Sequence, residues 1–244
     1  MNAEKAVHPL TAPVEDYLKA IFEIEIAEQS AAGTNEIAQA LGIAPASVTG
    51  MLRRLAEQGL ISYERYRGVR LSDEGRRAAL RTIRRHRVIE AYLTEALGYP
   101  WDRVHDEAER LEHAASDELI DRMAAAIGEP TTDPHGAPIP TRDGTIDAQR
   151  LLALVDVPVG EVVRIRQVGD RDPERLRYLA ELGVTPGADV RVVSRAPYGG
   201  PITLQIMREG SAAASRGLLQ NQEPAIGPAL AAQVFVESRR KREA

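Results

Sequence analysis

The stretch from His86 to His113 constrains this chain more than any other. It reads H-R-V-I-E, then a break at Gly98-Tyr99-Pro100-Trp101, then V-H-D-E-A-E-R-L-E-H. Successive residues of an α-helix are rotated by about 100°. His86 and Glu90 therefore share a face, about 40° apart. In the second segment Glu109, Glu112 and His113 lie at about 40°, −20° and 80° from His105. Nitrogen and oxygen donors of the kind that hold divalent transition metals fall on two stripes, and the Gly-Tyr-Pro-Trp break allows those stripes to fold against each other. The residues point to a metal site inside a helix pair.

A length of 244 residues predicts two or three compact units. Hydrophobic content of 43% with only 4% aromatics predicts aliphatic cores. No run approaches the roughly 18 apolar residues of a membrane span. The opening Met-Asn-Ala-Glu-Lys-Ala-Val-His-Pro also lacks the apolar stretch of a secretion signal, so a cytoplasmic location is expected. The absence of cysteine removes thiolate from any metal site.

The net charge of −5 hides an asymmetry. Residues 53 to 87 hold eleven arginines against four acids, whereas 102 to 133 hold ten acids against three arginines. The first region suits a polyanion and the second suits cations.

Thr11-Ala-Pro13 predicts a hydroxyl cap and a proline-started helix running to about Ile26. Asp16 in its first turn reads locally as an acid stabilised by the helix N-terminus. Thr34 to Gly42 predicts a short helix ending on a left-handed glycine. The helix after Pro45 buries Val48, Met51, Leu52 and Leu55 while Ser47, Thr49, Gly50 and Arg53 face out, backed by Arg54. Leu60 to Leu71 alternates as a hairpin carrying Arg65, Arg67 and Arg70. Helix, turn, helix and basic hairpin describe a winged helix-turn-helix that places its second helix in a DNA major groove.

A long arginine-rich helix follows, to about Leu97, and another is expected from Pro100 to about Ile127. Its apolar positions Val104, Ala108, Leu111, Ala115, Leu119 and Met123 need a partner face, which predicts a homodimer. The connector from Gly128 to Gly144 is dense in proline and glycine, and His135 within it reads as structural. From Val159 to about Glu237, short β-prone runs broken by one helix (Glu174 to Leu182) predict an SH3-like small β-barrel. The fold class is α+β, with residues 1–75 as the winged helix-turn-helix and 76–145 as an all-α metal-binding and dimerisation domain. A linker (146–158) and the barrel (159–238) complete it.

V-E-D-Y-L-K-A-I (14 to 21), Y-E-R-Y-R-G-V-R-L-S-D-E-G (63 to 75), R-R-H-R-V-I-E (84 to 90), V-H-D-E-A-E-R-L-E-H (104 to 113) and D-P-H-G-A-P-I-P (133 to 140) resemble the diphtheria toxin repressor and manganese transport regulator family. R-L-R-Y-L-A-E-L-G-V-T-P-G (175 to 187) is similar to the SH3-like domain of the longer members and of the ferrous transport protein FeoA. The resemblance implies one metal site at Asp16, Glu109, Glu112 and His113 and another at His86, Glu90 and His105, with Asp172 and Glu174 as ligands from the barrel. It also implies that Asp16 is a ligand rather than only a helix-end acid. The iron branch has methionine in place of Asp16 and cysteine in place of Glu109. The manganese branch has the same two acids as this chain, but a glutamate where Lys19 stands, so two separated sites are expected here rather than a bridged pair.

The expected function is a metal-dependent transcriptional regulator that represses metal-uptake genes. It would take two Mn²⁺ (or Fe²⁺) ions per subunit and bind palindromic operator DNA as a homodimer. Catalysis is not expected: a carboxylate-bridged di-iron site needs Glu-x-x-His pairs, and the spacing here is Glu109-x-x-x-His113. The alternative reading is a winged-helix regulator that senses a small molecule without a specific metal site.

Overall fold

Proline is tolerated in the first turn of a helix, where its missing N–H would have no partner. Helix α1 (Ala12–Glu28) starts this way in the computed structural model, which describes residues 10–64, 67–147, 150–169, 171–207 and 223–238. Thr11 differs from expectation. Its hydroxyl caps nothing, and its carbonyl accepts from the amides of Val14 and Glu15 at 2.8 and 3.1 Å. Helix α2 (Thr34–Leu41) ends on Gly42 at φ 65°, the left-handed conformation that favours glycine. Helix α3 (Pro45–Glu57) and the antiparallel hairpin β1 (Ile61–Glu64) and β2 (Gly68–Leu71) complete the winged helix-turn-helix.

Helix α4 (Asp73–Leu97) follows. The single helix expected after Pro100 is instead two, α5 (Val104–Leu111) and α6 (Asp117–Ala126). Ser116 explains the second start, because its hydroxyl accepts from the Leu119 amide at 3.2 Å. The apolar period that suggested one helix runs across the break without revealing it.

Two compact units result. The first comprises Met1–His86, Glu112–Ala115 and Pro140–Ile146, and the second comprises Arg87–Leu111, Ser116–Ile139 and Asp147–Ala244. The first unit extends past residue 75 because Ala79, Leu80 and Ile83 of α4 enter the core of Leu18, Ile21, Ile37, Val48, Leu52, Leu55 and Val69.

In the second unit a six-stranded antiparallel sheet has the order β3-β8-β4-β5-β6-β7. In chain order, β3 (Leu152–Ala153) is followed by a 3₁₀ turn (Leu154–Asp156), β4 (Val162–Val168) and α7 (Pro173–Glu181). Then come β5 (Asp189–Arg195), β6 (Ile202–Met207), β7 (Ala225–Ile226), α8 (Pro228–Ala231) and β8 (Val234–Ser238). Leu154 and Val157, assigned by sequence to a linker, are buried in the core of this sheet with Ile165, Leu176, Val190, Leu204 and Val236. The SH3-like domain therefore begins at β3, before Val159. Of the apolar positions after Pro100, Leu111 and Leu119 are exposed, whereas Val104 and Ala108 are already buried. Among the described residues no helix is long and apolar enough to cross a membrane.

Candidate metal centre

The first unit brings Asp16, from the first turns of α1, to Glu112 and His113, which follow the end of α5. One donor atom from each lies within 4.8 Å of the others. His113 Nε2 is 2.8 Å from Asp16 Oδ1 and 3.6 Å from Glu112 Oε1. Its other nitrogen, Nδ1, is 2.6 Å from Glu15 Oε2. Burial alone would lower the His113 pKa. The hydrogen bond to Glu15 and the charges of Asp16, Glu112 and Glu15 outweigh it, and the pKa stands above the ordinary imidazole value. The cluster thus attracts positive charge, supplied by a proton on His113 or by a cation in its place.

Glu112 is fully buried, which an unpaired carboxylate could not sustain. Both its oxygens accept from Lys19 Nζ at 3.1 Å, and Oε2 lies 2.5 Å from His86 Nδ1. The Lys19 ammonium is 3.2 Å from that same His86 nitrogen. Lysine at this position places a resident positive charge among the acids of the first unit.

The second unit holds a further cluster. Glu90, Asp133 and His135 are all buried, each with a donor atom within 4.8 Å of the others. His135 Nε2 is 2.7 Å from the Trp101 carbonyl, which can only accept, so that nitrogen carries the proton. In the neutral ring Nδ1 then presents a lone pair to Glu90 Oε2 at 3.9 Å and Asp133 Oδ1 at 4.0 Å. It is buried and has no hydrogen-bond partner among the described residues. A lone pair aimed at two carboxylates is electrostatically unfavourable unless a cation lies between them. The loop is shaped for this. Asp133 Oδ1 accepts from the amides of His135 and Ala137 at 2.8 and 3.0 Å, and the Val168 amide on β4 donates to the His135 carbonyl at 2.9 Å.

Sequence reading took His135 as structural and did not place Asp133 among the ligands. The available signal was an acid and a histidine two residues apart in a tight Pro/Gly turn. Glu90, expected with His86 and His105, presents Oε1 to His105 Nδ1 at 3.4 Å and Oε2 to His135. His86 belongs to the first unit, beside Glu112 and Lys19. Glu109, expected with Asp16, belongs to the second unit, where its Oε1 is 3.9 Å from His105 Nε2. Asp172, expected as a ligand, stands at the start of α7. It caps α7 by accepting from the amides of Glu174 and Arg175 and is paired with the Arg175 side chain at 2.8 Å. Glu174 is exposed in the first turn of that helix, and neither residue joins a ligand cluster among the described residues.

On α3, Ser47, Gly50, Arg53 and Arg54 are exposed and Thr49 partly so. Arg67 and Arg70 are exposed on the hairpin, and Arg65 lies outside the described residues. Hydroxyls at the front of α3 with guanidinium groups behind and beside them suit base edges and phosphates respectively.

Comparison with known proteins settles the family. Residues 9–69 match the iron dependent repressor N-terminal DNA binding domain, 72–141 match the iron dependent repressor metal binding and dimerisation domain, and 152–238 match the FeoA domain. The iron-dependent repressor IdeR of Mycobacterium tuberculosis strain H37Rv is 31% identical over 214 residues, covering 82% of this chain and 91% of that one. The chain belongs to the diphtheria toxin repressor family. Members of this repressor family are DNA-binding transcriptional regulators and not enzymes. A solved structure described as a manganese-dependent transcriptional repressor complex with manganese is 36% identical, with a TM-score of 0.80, over 92% of this chain and 99% of that one. The regulator ScaR with bound Cd²⁺ is 28% identical with a TM-score of 0.76, over 92% of this chain and 99% of that one. Along this chain the three matches run in the order DNA-binding, dimerisation and then FeoA.

Proposed function

We propose that the chain is a Mn²⁺-dependent repressor, with Fe²⁺ as the other candidate effector, that takes two ions per subunit and binds palindromic operator DNA as a homodimer. The observation that carries this reading is the convergence of Asp16, Glu112 and His113. Two carboxylates and an imidazole, in a chain without cysteine, suit Mn²⁺ or Fe²⁺ better than softer ions. The same donor chemistry recurs at Glu90, Asp133 and His135, and the buried, unpartnered Nδ1 of His135 supports a second ion there. The resident ammonium of Lys19 supports one ion at the first cluster rather than a bridged pair.

A divalent cation, when bound, supplies the positive charge that lets these acids stay together. Asp16 offers its oxygen from α1 of the winged helix-turn-helix, while Glu112 and His113 follow directly on α5 of the dimerisation region. Without a cation, like charges oppose their approach and the two recognition helices of a dimer sample many separations. Only a separation near 34 Å, one turn of duplex, or a multiple of it, fits two half-sites. Apparent affinity falls by the fraction of dimers that fit. By linkage, operator DNA tightens metal binding by the same factor.

The test is operator binding titrated with Mn²⁺, Fe²⁺ and chelator, repeated with Glu109→Ala and His86→Ala. Chelation should weaken binding about 100-fold, as expected if about 1% of metal-free dimers are competent. Equal binding after complete removal of divalent cations overturns the reading. On the DNA side, Arg67→Ala should weaken all sequences alike and reduce the salt slope by about one ion, whereas Thr49 substitutions should change sequence preference. An unchanged salt slope for Arg67→Ala would place the hairpin away from the phosphates.

A further inference from the structure

We infer that Glu15 is a positioning residue for the first cluster: it fixes the His113 ring so that Nε2, with its lone pair, faces Asp16 and Glu112. The inference rests on the metal reading of that cluster. Adjacent residues on a helix are about 100° apart, so one turn of α1 delivers both Asp16 as a candidate ligand and Glu15 as a neighbour to the same ring from another side. Glu15 Oε2 is 2.6 Å from His113 Nδ1, and its Oε1 accepts from Arg85 Nη1 on α4 at 3.2 Å. The Glu15 and Arg85 side chains are only 12% and 14% exposed, so solvent screens this chain of contacts little.

The chemistry follows from the donor inventory. A neutral imidazole has one N–H and one lone pair, and a carboxylate only accepts. Glu15 therefore selects the Nδ1–H form, which leaves Nε2 able to bind a cation 2.8 Å from Asp16 Oδ1. Arg85 holds the carboxylate in place. Without Glu15 the ring can turn, or move its proton to Nε2, and either change aims an N–H at the cluster. A carboxylate that supports a metal-bound histidine in this way typically contributes 10–100-fold to metal affinity.

The test uses the full chain and two readouts. In protein loaded with diamagnetic Cd²⁺, ¹⁵N NMR of the ring should show the proton on Nδ1 and Nε2 facing the ion, and Glu15→Ala should reduce that population. In Mn²⁺ titrations Glu15→Ala should lower first-cluster affinity about 10–100-fold, and Glu15→Gln, whose amide oxygen still accepts from Nδ1–H, should recover most of that loss. In a His113→Ala background the same Glu15→Ala change should leave the remaining Mn²⁺ affinity unaltered. Wild-type affinity in Glu15→Ala overturns the inference, as does a proton on Nε2 in the Cd²⁺-loaded unmodified protein, or an equal loss with His113 absent. Failure of the unmodified protein to bind Mn²⁺ through His113 would instead overturn the metal reading and this inference with it.

Discussion

Glu112→Gln should remove tight Mn²⁺ binding at the first cluster, by about 100-fold or more, and with it metal-dependent operator binding. The expected loss exceeds the 10–100-fold typical of a supporting contact, because Glu112 is a charged member of the cluster, with Oε1 3.6 Å from His113 Nε2. The substitution also acts on the metal-free fold. Glu112 is fully buried and accepts from Lys19, itself 9% exposed, through both oxygens. Neutralising one partner of such a buried pair costs about 3–5 kcal/mol, which for a chain of this size is roughly 6–20 °C in Tm. Adding Lys19→Met separates the two effects. An apolar side chain of similar length removes the stranded charge and should restore much of the stability, yet Mn²⁺ affinity should stay low. Calorimetry on the single and double variants reads both quantities. Mn²⁺ binding by Glu112→Gln at wild-type strength would sink the assignment of this cluster.

Gly136→Ala should destabilise the second unit by about 2–6 kcal/mol and reduce Mn²⁺ uptake from two ions to one. Gly136 has φ +88°, a left-handed conformation in which a side chain is strained by about 1–3 kcal/mol. An added Cβ would stand 1.8 Å from the Arg166 carbonyl oxygen and 2.8 Å from its carbon. Those are backbone atoms of β4 and cannot swing away, so overpacking adds about 1–3 kcal/mol. His135, the preceding residue, must move with the loop. The cluster of Asp16, Glu112 and His113 belongs to the other unit and serves as the internal control, retaining its ion. Thermal unfolding and metal counting check both parts. Two ions retained by a visibly destabilised variant would remove His135 from the ligands.

What the sequence reveals follows the range of the forces involved. Local signals were legible. Pro13 started α1, Gly42 closed α2, and the alternation around β1 and β2 marked the hairpin. Signals that depend on side-chain partners were not. A hydroxyl at Thr11 looks like a cap in any listing of residues, but only geometry shows that it accepts nothing. The apolar period from Val104 to Met123 looks continuous, although Ser116 starts a new helix within it. The first cluster was visible because Glu112 and His113 adjoin each other in a motif that resembles a known family. Asp133 and His135 were hidden because they meet Glu90 through a turn far along the chain, which helical periodicity cannot reach. Lys19 stood out only as a departure from the family pattern, and its burial against Glu112 gives that departure a physical meaning.

The hydrogen bond from the Val168 amide to the His135 carbonyl stitches the loop at 133–135 to the end of β4. Thermodynamic reciprocity then makes the barrel a second input. If an ion binds at Glu90, Asp133 and His135 as proposed, a load placed on β4 would retune its grip, and loading the ion would in turn stiffen that strand.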